Sequence, residues 1–266
     1  VPTSSKVLVS AVSGITHLLQ NFILNNRLNF LKMKDSEITQ LNKPYDSTIA
    51  FHKLLKKLNL LNKNTKSIID IGTGIGSNLH FFSSKNKDIS FLGTDYESSR
   101  LKIGEKMNTN PKIKFKKLDI LKSVEPLQNK FDGLICIHTL CCFKDLDVVI
   151  KNFCKIKPKW IAINSLFFDG NLDVLIHIRD HQNKKLKDNN PNGDFNTFSL
   201  LKTEEIFKKN GYKIISKDPY FPKKKIKKLG NGKRGSYTIK TEIHKYTTFS
   251  GPVHLPWHFV VAKKIR

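Results

Sequence analysis

Three aspartates and one glycine-rich turn hold the most suggestive chemistry in this sequence. In Ile69-Asp70-Ile71-Gly72-Thr73-Gly74-Ile75-Gly76 a short apolar run ends in glycines, which let the backbone approach a ligand and aim amides at it. The acidic residue ahead of them narrows the ligand. A dinucleotide site receives a pyrophosphate at such a turn, where an adjacent carboxylate is awkward; Asp70 suits a ligand that brings positive charge. Asp95 lies 19 residues after Gly76, at the end of the next apolar run, where its carboxylate can accept both hydroxyls of a ribose. Tyr96 beside it can pack on a flat base. Asp119, in KLDIL, can accept an exocyclic amino group, and the Ile120 amide can serve a ring nitrogen. Each aspartate alone also fits a turn or helix cap. Their recurrence at successive strand ends points to the ligand edge of an α/β sheet.

Histidine is the natural base near neutral pH, and His138 ends the apolar run FDGLICI. His177, Arg179, Asp180 and His181 crowd into five positions, and Arg179 is one of five arginines in a chain rich in lysine. An arginine there suits planar recognition of a carboxylate or phosphate, or an ion pair with Asp180. His254 precedes the last apolar segment and is a pocket candidate, whereas Trp257 is expected in the core. The run Lys223–Arg234 has seven basic residues and no acid; it reads as a solvated loop or as a funnel for an anion.

These residues need a frame. Residues 1–62 read as a helical, lysine-rich segment packing on the core, with Leu54, Leu55, Leu58 and Leu61 at helical spacing. From Ser67 short apolar runs and helices alternate: strands at 67–71, 91–94, 113–117, 131–137 and 160–164, with helices between. This rhythm predicts an α/β fold, a Rossmann-like, doubly wound, mostly parallel sheet of seven strands, over 63–266. Two insertions, 166–198 and 219–249, interrupt it and are expected to form a substrate cap. A helix at 202–210, a strand at 212–216 and a closing strand at 258–262 complete it.

Composition narrows the classes. The 266 residues contain 39% hydrophobic and 10% aromatic residues, which argues against disorder. The net charge of +25 comes from 47 basic against 22 acidic residues. Lysine-rich composition follows from an AT-rich genome, and nucleic-acid readers lean on arginine. Nucleic acid is therefore the less favoured partner. No strand interleaves aromatic with basic residues, and no separate RNA-binding module is visible. Cys136, Cys141, Cys142 and Cys154 lack the spacing of a zinc site or disulfide framework. They read as reduced thiols of a cytoplasmic protein, and no metal is expected. Val7–Leu24 is interrupted by polar residues and suits an amphipathic helix, so no membrane span is expected.

Residues 67–165 resemble the core of class I S-adenosylmethionine (SAM) methyltransferases: IIDIGTGIG is similar to the first motif, LGTDYES to the second, KKLDILK to the third, FDGLICIHTLCCF to the fourth, and WIAINS to the fifth strand. The resemblance implies SAM as cofactor and S-adenosylhomocysteine (SAH) as product. It implies a pocket of Asp70, Gly72, Thr73, Gly74, Gly76, Asp95, Tyr96, Asp119 and Ile120, with Ile137 and His138 beside the methyl group. Many members follow the fourth motif with Glu-His, where this chain has Cys141-Cys142. Catalysis therefore rests on His138, His177, Arg179 and His254. SLFFDGNLDVLIHIRDH and FSGPVHLPWHFVVAKK also resemble segments of bacterial methyltransferases of surface-polysaccharide or specialised pathways. That implies methyl transfer to O or N of a small anionic acceptor, such as a sugar or phosphorylated metabolite. An RNA methyltransferase is the alternative, although no Asn/Asp-Pro-Pro-aromatic motif follows the fourth strand. A catalytically silent binding protein is disfavoured by the intact cofactor residues, and a nicotinamide oxidoreductase by Asp70 and the GTGIG spacing.

Overall fold

The computed structural model describes residues 39, 41–178, 195–230, 235–243 and 246–265. The chain divides into units 1–43 and 44–266. The segment Val7–Leu24 lies outside the described residues, as do Arg179, Asp180 and His181.

The second unit is built on one sheet. The strands β1 (Ser67–Ile71), β2 (Ser90–Asp95), β3 (Ile113–Lys117), β4 (Gly133–Ile137) and β5 (Trp160–Phe168) run parallel. Beyond β5 lie β11 (Trp257–Lys264), antiparallel to both neighbours, and β7 (Tyr212–Pro219). The order β3-β2-β1-β4-β5-β11-β7 is the expected seven-stranded, mostly parallel sheet, and β6 (Phe198–Ser199) adds a short pairing on β5. It reverses direction at β1, so the loops after β1 and β4 leave on opposite faces and open a cleft at the strand ends. The glycine turn sits there.

Helices cover both faces, which is why the central strands are apolar throughout. α1 (Asp46–Lys57) and α2 (Ser77–Lys85) lie on one face, where Phe51, Leu55, Leu79 and Phe82 pack with Ile68, Ile135 and Val261. α3 (Ser98–Met107) packs against β2 and β3. α4 (Leu146–Lys155) and α5 (Leu200–Lys209) take the other face, where Val149, Phe153, Ile206 and Phe207 meet Ile69, Leu134 and Val260. Ile68 and Ile69 thus face opposite layers, as strand alternation requires.

The frame differs from the sequence expectation in three places. Phe51 and Leu55 are the deeply buried apolar residues of α1, while Leu54, Leu58 and Leu61 are only partly buried. The leucine spacing locates the helix but not its deepest ridge, because Phe259 offers Phe51 a ring partner at 5.2 Å. The first insertion starts later than residue 166: β5 continues to Phe168, and Leu166 and Phe167 are buried. The second, expected as an insertion, contains an antiparallel sheet of β8 (Ser236–Ile239), β9 (Thr247–Ser250) and β10 (Val253–Leu255), reaching past residue 249. Among the described residues no helix is long and apolar enough to cross a membrane. All four cysteines are free.

Candidate active site

The turn after β1 is shaped by left-handed backbone. Gly72 has φ 75° and Gly74 φ 58°, a conformation that costs an L side chain roughly 1–2 kcal/mol. Space forbids one too: a Cβ on Gly72 would lie 2.1 Å from Thr139 Cγ2, and one on Gly74 2.8 Å from the Arg100 guanidinium. The Gly72 and Thr73 amides donate to the Thr94 carbonyl at 2.8 and 2.9 Å. The Gly74 amide donates to Asp95 Oδ2 at 2.9 Å, and the Glu97 amide to Asp95 Oδ1 at 3.0 Å. Asp95 thus ties the end of β2 to the glycine turn, and each oxygen keeps a further lone pair for a ligand.

Asp70 is the anomaly of the site. Its carboxylate is buried, and among the described residues neither oxygen is met in full hydrogen-bond geometry, the neighbouring Thr73 hydroxyl offering at most a weak donor. Burial pushes its pKa up to about 7; the nearby Thr73 hydroxyl pulls the other way, and the Asp95 charge adds to the rise. A buried carboxylate so poorly met is costly and calls for a cation or donor. An α-ammonium group meets that need, so the residues fit the amino-acid end of SAM.

At the far side of the cleft Asp119 accepts from the Leu121 amide at 3.1 Å, and its other oxygen lies 3.9 Å from Lys122 Nζ. Ile120 is buried, and Tyr96 is 49% exposed beside Asp95. Sequence reasoning missed Asn152 on α4, whose Nδ2 donates to the Ile120 carbonyl at 2.7 Å and the Lys122 carbonyl at 3.3 Å. It holds the loop that carries Asp119 and Ile120. Replacing Asn152 with leucine leaves those carbonyls unpaired, at a cost of about 1–3 kcal/mol. The expected result is a lower Tm and several-fold weaker SAM binding by calorimetry.

His138 follows β4 with φ 60°, and its amide donates to the Asn164 carbonyl at 2.8 Å. Its Nε2 lies 3.1 Å from Asn164 Nδ2 and 3.2 Å from Ser47 Oγ. The Tyr45 and Trp257 rings flank the imidazole at 5.7 and 4.7 Å. Burial lowers its pKa to about 4, so it is neutral at physiological pH and weak as a proton acceptor. Trp257, expected in the core, is only partly buried and its ring lies against His138. His254, the expected pocket residue, is exposed on β10, with its Nε2 2.7 Å from Thr247 Oγ1 and its ring against Phe249. It belongs to the small sheet because pairing with β9 places it opposite Phe249. His177 is exposed. Ile137 is buried at the end of β4. Tyr45, Ser47 and Asn164 had no signal in the sequence, since they reach His138 only through folding.

A seven-stranded sheet with this order, a glycine turn after β1 and carboxylates at or just past the ends of β1, β2 and β3 make up the fold of class I SAM-dependent methyltransferases. Residues 45–217 match the family model described as a methyltransferase domain, and the chain belongs to that family, whose class uses SAM. A protein of Invertebrate iridescent virus 6, provisionally named methyltransferase 235L, is 35% identical over 29% of this chain and 28% of its own. The matched stretch spans only part of the curated relatives, 37% of one and 28% of the other. Among solved structures, the YcgJ protein of Bacillus subtilis superposes with TM-score 0.55 and 12% identity over 84% of this chain and all of that one (100%). The 1,6-didemethyltoxoflavin-N1-methyltransferase of Burkholderia thailandensis, solved with its substrate and SAH, gives TM-score 0.55 and 11% identity over 93% and 90% of the two chains. At such identity these likenesses concern the fold.

Proposed function

We propose that this chain moves a methyl group from SAM to an oxygen or nitrogen of a small, anionic acceptor, such as a sugar or phosphorylated metabolite of a surface-glycan pathway. The observation that carries the reading is the poorly met, buried Asp70 carboxylate beneath the glycine turn. When bound, SAM supplies an electrophilic methyl on a sulfonium, and the chain supplies alignment. Asp70 takes the ammonium, Asp95 and Tyr96 the ribose and base side, and Asp119 with the Ile120 amide the adenine edge. His138, between Tyr45 and Trp257, marks the acceptor end. As a neutral imidazole it orients the acceptor by hydrogen bonding and contributes little as a base, which suits an acceptor atom whose lone pair is available without a strong base. The acceptor's negative charge is met by the lysines at 223–228, which the Lys224–Asp46 ion pair at 3.6 Å ties to the start of α1, beside Tyr45 and Ser47.

The test is incubation with methyl-labelled SAM and two fractions, cell metabolites and total RNA. Label in an anionic metabolite supports the reading. Label confined to RNA overturns the small-acceptor part, and absence of SAM binding by calorimetry overturns the whole.

A further inference from the structure

The small sheet is built inside out. Its face toward the protein buries Thr238, Thr248, Ser250 and Leu255, three of them hydroxyl residues, while its other face carries rings. Tyr237, Phe249 and His254 sit directly opposite one another across β8, β9 and β10. Tyr237 and Phe249 stack with centroids 5.8 Å apart and planes 24° from parallel, and His254 adjoins Phe249 at 5.2 Å. Tyr237 and Phe249 are only partly buried, and His254 is exposed. The sequence shows no strand that alternates aromatic and basic residues; register assembles the row from three strands that each contribute one ring.

The lysines are fixed beside this row. The Ile226 amide donates to Thr238 Oγ1 at 2.8 Å, and the Thr238 amide to the Ile226 carbonyl at 3.1 Å, so the run lies along β8. Lys228 Nζ stands 5.3 Å over the Tyr237 ring. Lys223, Lys225 and Lys227 are exposed. At its other edge the sheet adjoins the methyl-transfer end: Leu255 packs with Cys141 and Trp257, and Cys141 Sγ lies 3.6 Å from the His138 carbonyl. His254 and Trp257 are three positions apart, hence within about 10 Å.

We infer that the acceptor is carried on a nucleotide: its base stacks on the Phe249–His254 part of the row, its phosphates meet the lysines, and the group to be methylated reaches His138. This rests on the methyltransferase reading and names its substrate class. Planar rings bind a base through its face, and neighbouring cations bind phosphate. A phosphorylated acceptor without a base would leave the ring row unused, and a base without phosphate would leave the lysines unused. The row ends at His254, three positions before the Trp257 that flanks His138, and a span of that length suits a small conjugate better than a polymer.

The experiment titrates UDP into SAH-saturated protein, so that the cofactor site is filled. Wild type is expected to bind UDP, more weakly at high salt. Phe249→Leu should weaken UDP at least 10-fold, Phe249→Trp should retain it, and both should bind SAH as wild type does. Lys225→Gln/Lys227→Gln should weaken UDP and reduce the salt dependence. Failure of UDP to bind while SAH binds normally overturns the inference and leaves the methyltransferase reading standing; failure of SAH to bind overturns that reading first. Inorganic pyrophosphate binding as tightly as UDP, or Phe249→Leu having no effect, removes the base from the proposal. Oligouridine binding far more tightly than UDP makes the occupant a single-stranded RNA and overturns the nucleotide conjugate.

Discussion

Replacing Asp95 with alanine is expected to weaken SAM binding by two orders of magnitude or more. The Asp95 carboxylate accepts from the Gly74 amide at 2.9 Å and the Glu97 amide at 3.0 Å, so the substitution removes a ligand contact and releases the turn that forms the rest of the pocket. Hydrogen bonds to a charged group contribute roughly 1.5–3 kcal/mol each, and losing those to two ribose hydroxyls corresponds to about 100- to 10,000-fold in affinity, while the freed Gly74 and Glu97 amides lower stability. Asp95→Asn keeps an oxygen acceptor for one amide and should fall between wild type and alanine. Calorimetric titration with SAM and SAH measures both. Near-normal SAM affinity in Asp95→Ala would remove this residue from the cofactor site and leave it as a turn anchor alone.

Asp70→Asn should do something less usual, raising stability while lowering affinity. The pKa of Asp70 is about 7 in the folded protein, against an ordinary 3.8. The native state therefore binds the more protons of the two between those values, and stability falls as pH rises through that window. At 1.36 kcal/mol per unit the loss approaches about 4 kcal/mol, and above pH 8 it is complete. Asparagine has no charge to bury, so Asp70→Asn should melt higher than wild type at pH 8 and alike near pH 4. Binding follows the opposite course. A cationic ligand favours the carboxylate form, so wild-type SAM affinity should rise with pH up to about 7 and then level off. In Asp70→Asn it should be flat and roughly 10- to 100-fold weaker, from loss of a charged hydrogen bond. Melting curves and titrations at pH 5 and pH 8 test both. A variant that is no more stable at pH 8 would mean that Asp70 has a partner in the free protein. The trade of stability for function is common at sites that hold a charge ready for a ligand.

The contrast between Asp70 and His138 shows what burial does to residues chosen by type. Each is where the sequence places it, at the end of an apolar strand. Burial drives Asp70 toward its neutral form and His138 toward its neutral form as well, the one upward to about 7 and the other downward to about 4. The histidine is thereby held neutral and is a weaker proton acceptor than an exposed imidazole, because desolvation disfavours a cation in the same way that it disfavours an anion.

How much could be read in advance follows the range of the interactions. The order of strands and helices, the glycine turn and its three carboxylates were legible, because each depends on local composition: continuous apolar runs for doubly covered strands, glycine where φ is positive, a carboxylate at a strand end. The amino-acid sequence by itself determined the fold class and the placing of the glycine turn and its carboxylates at the strand ends. Only the tertiary structure decided the acceptor side. Ser47 and Asn164 meet His138 from 91 and 26 residues away, and the ring row exists only because register sets Tyr237 and His254 opposite Phe249. Trp257, expected in the core, flanks His138, and His254 is carried on the small sheet, because strand pairing, which no single segment encodes, decides where each ring is placed.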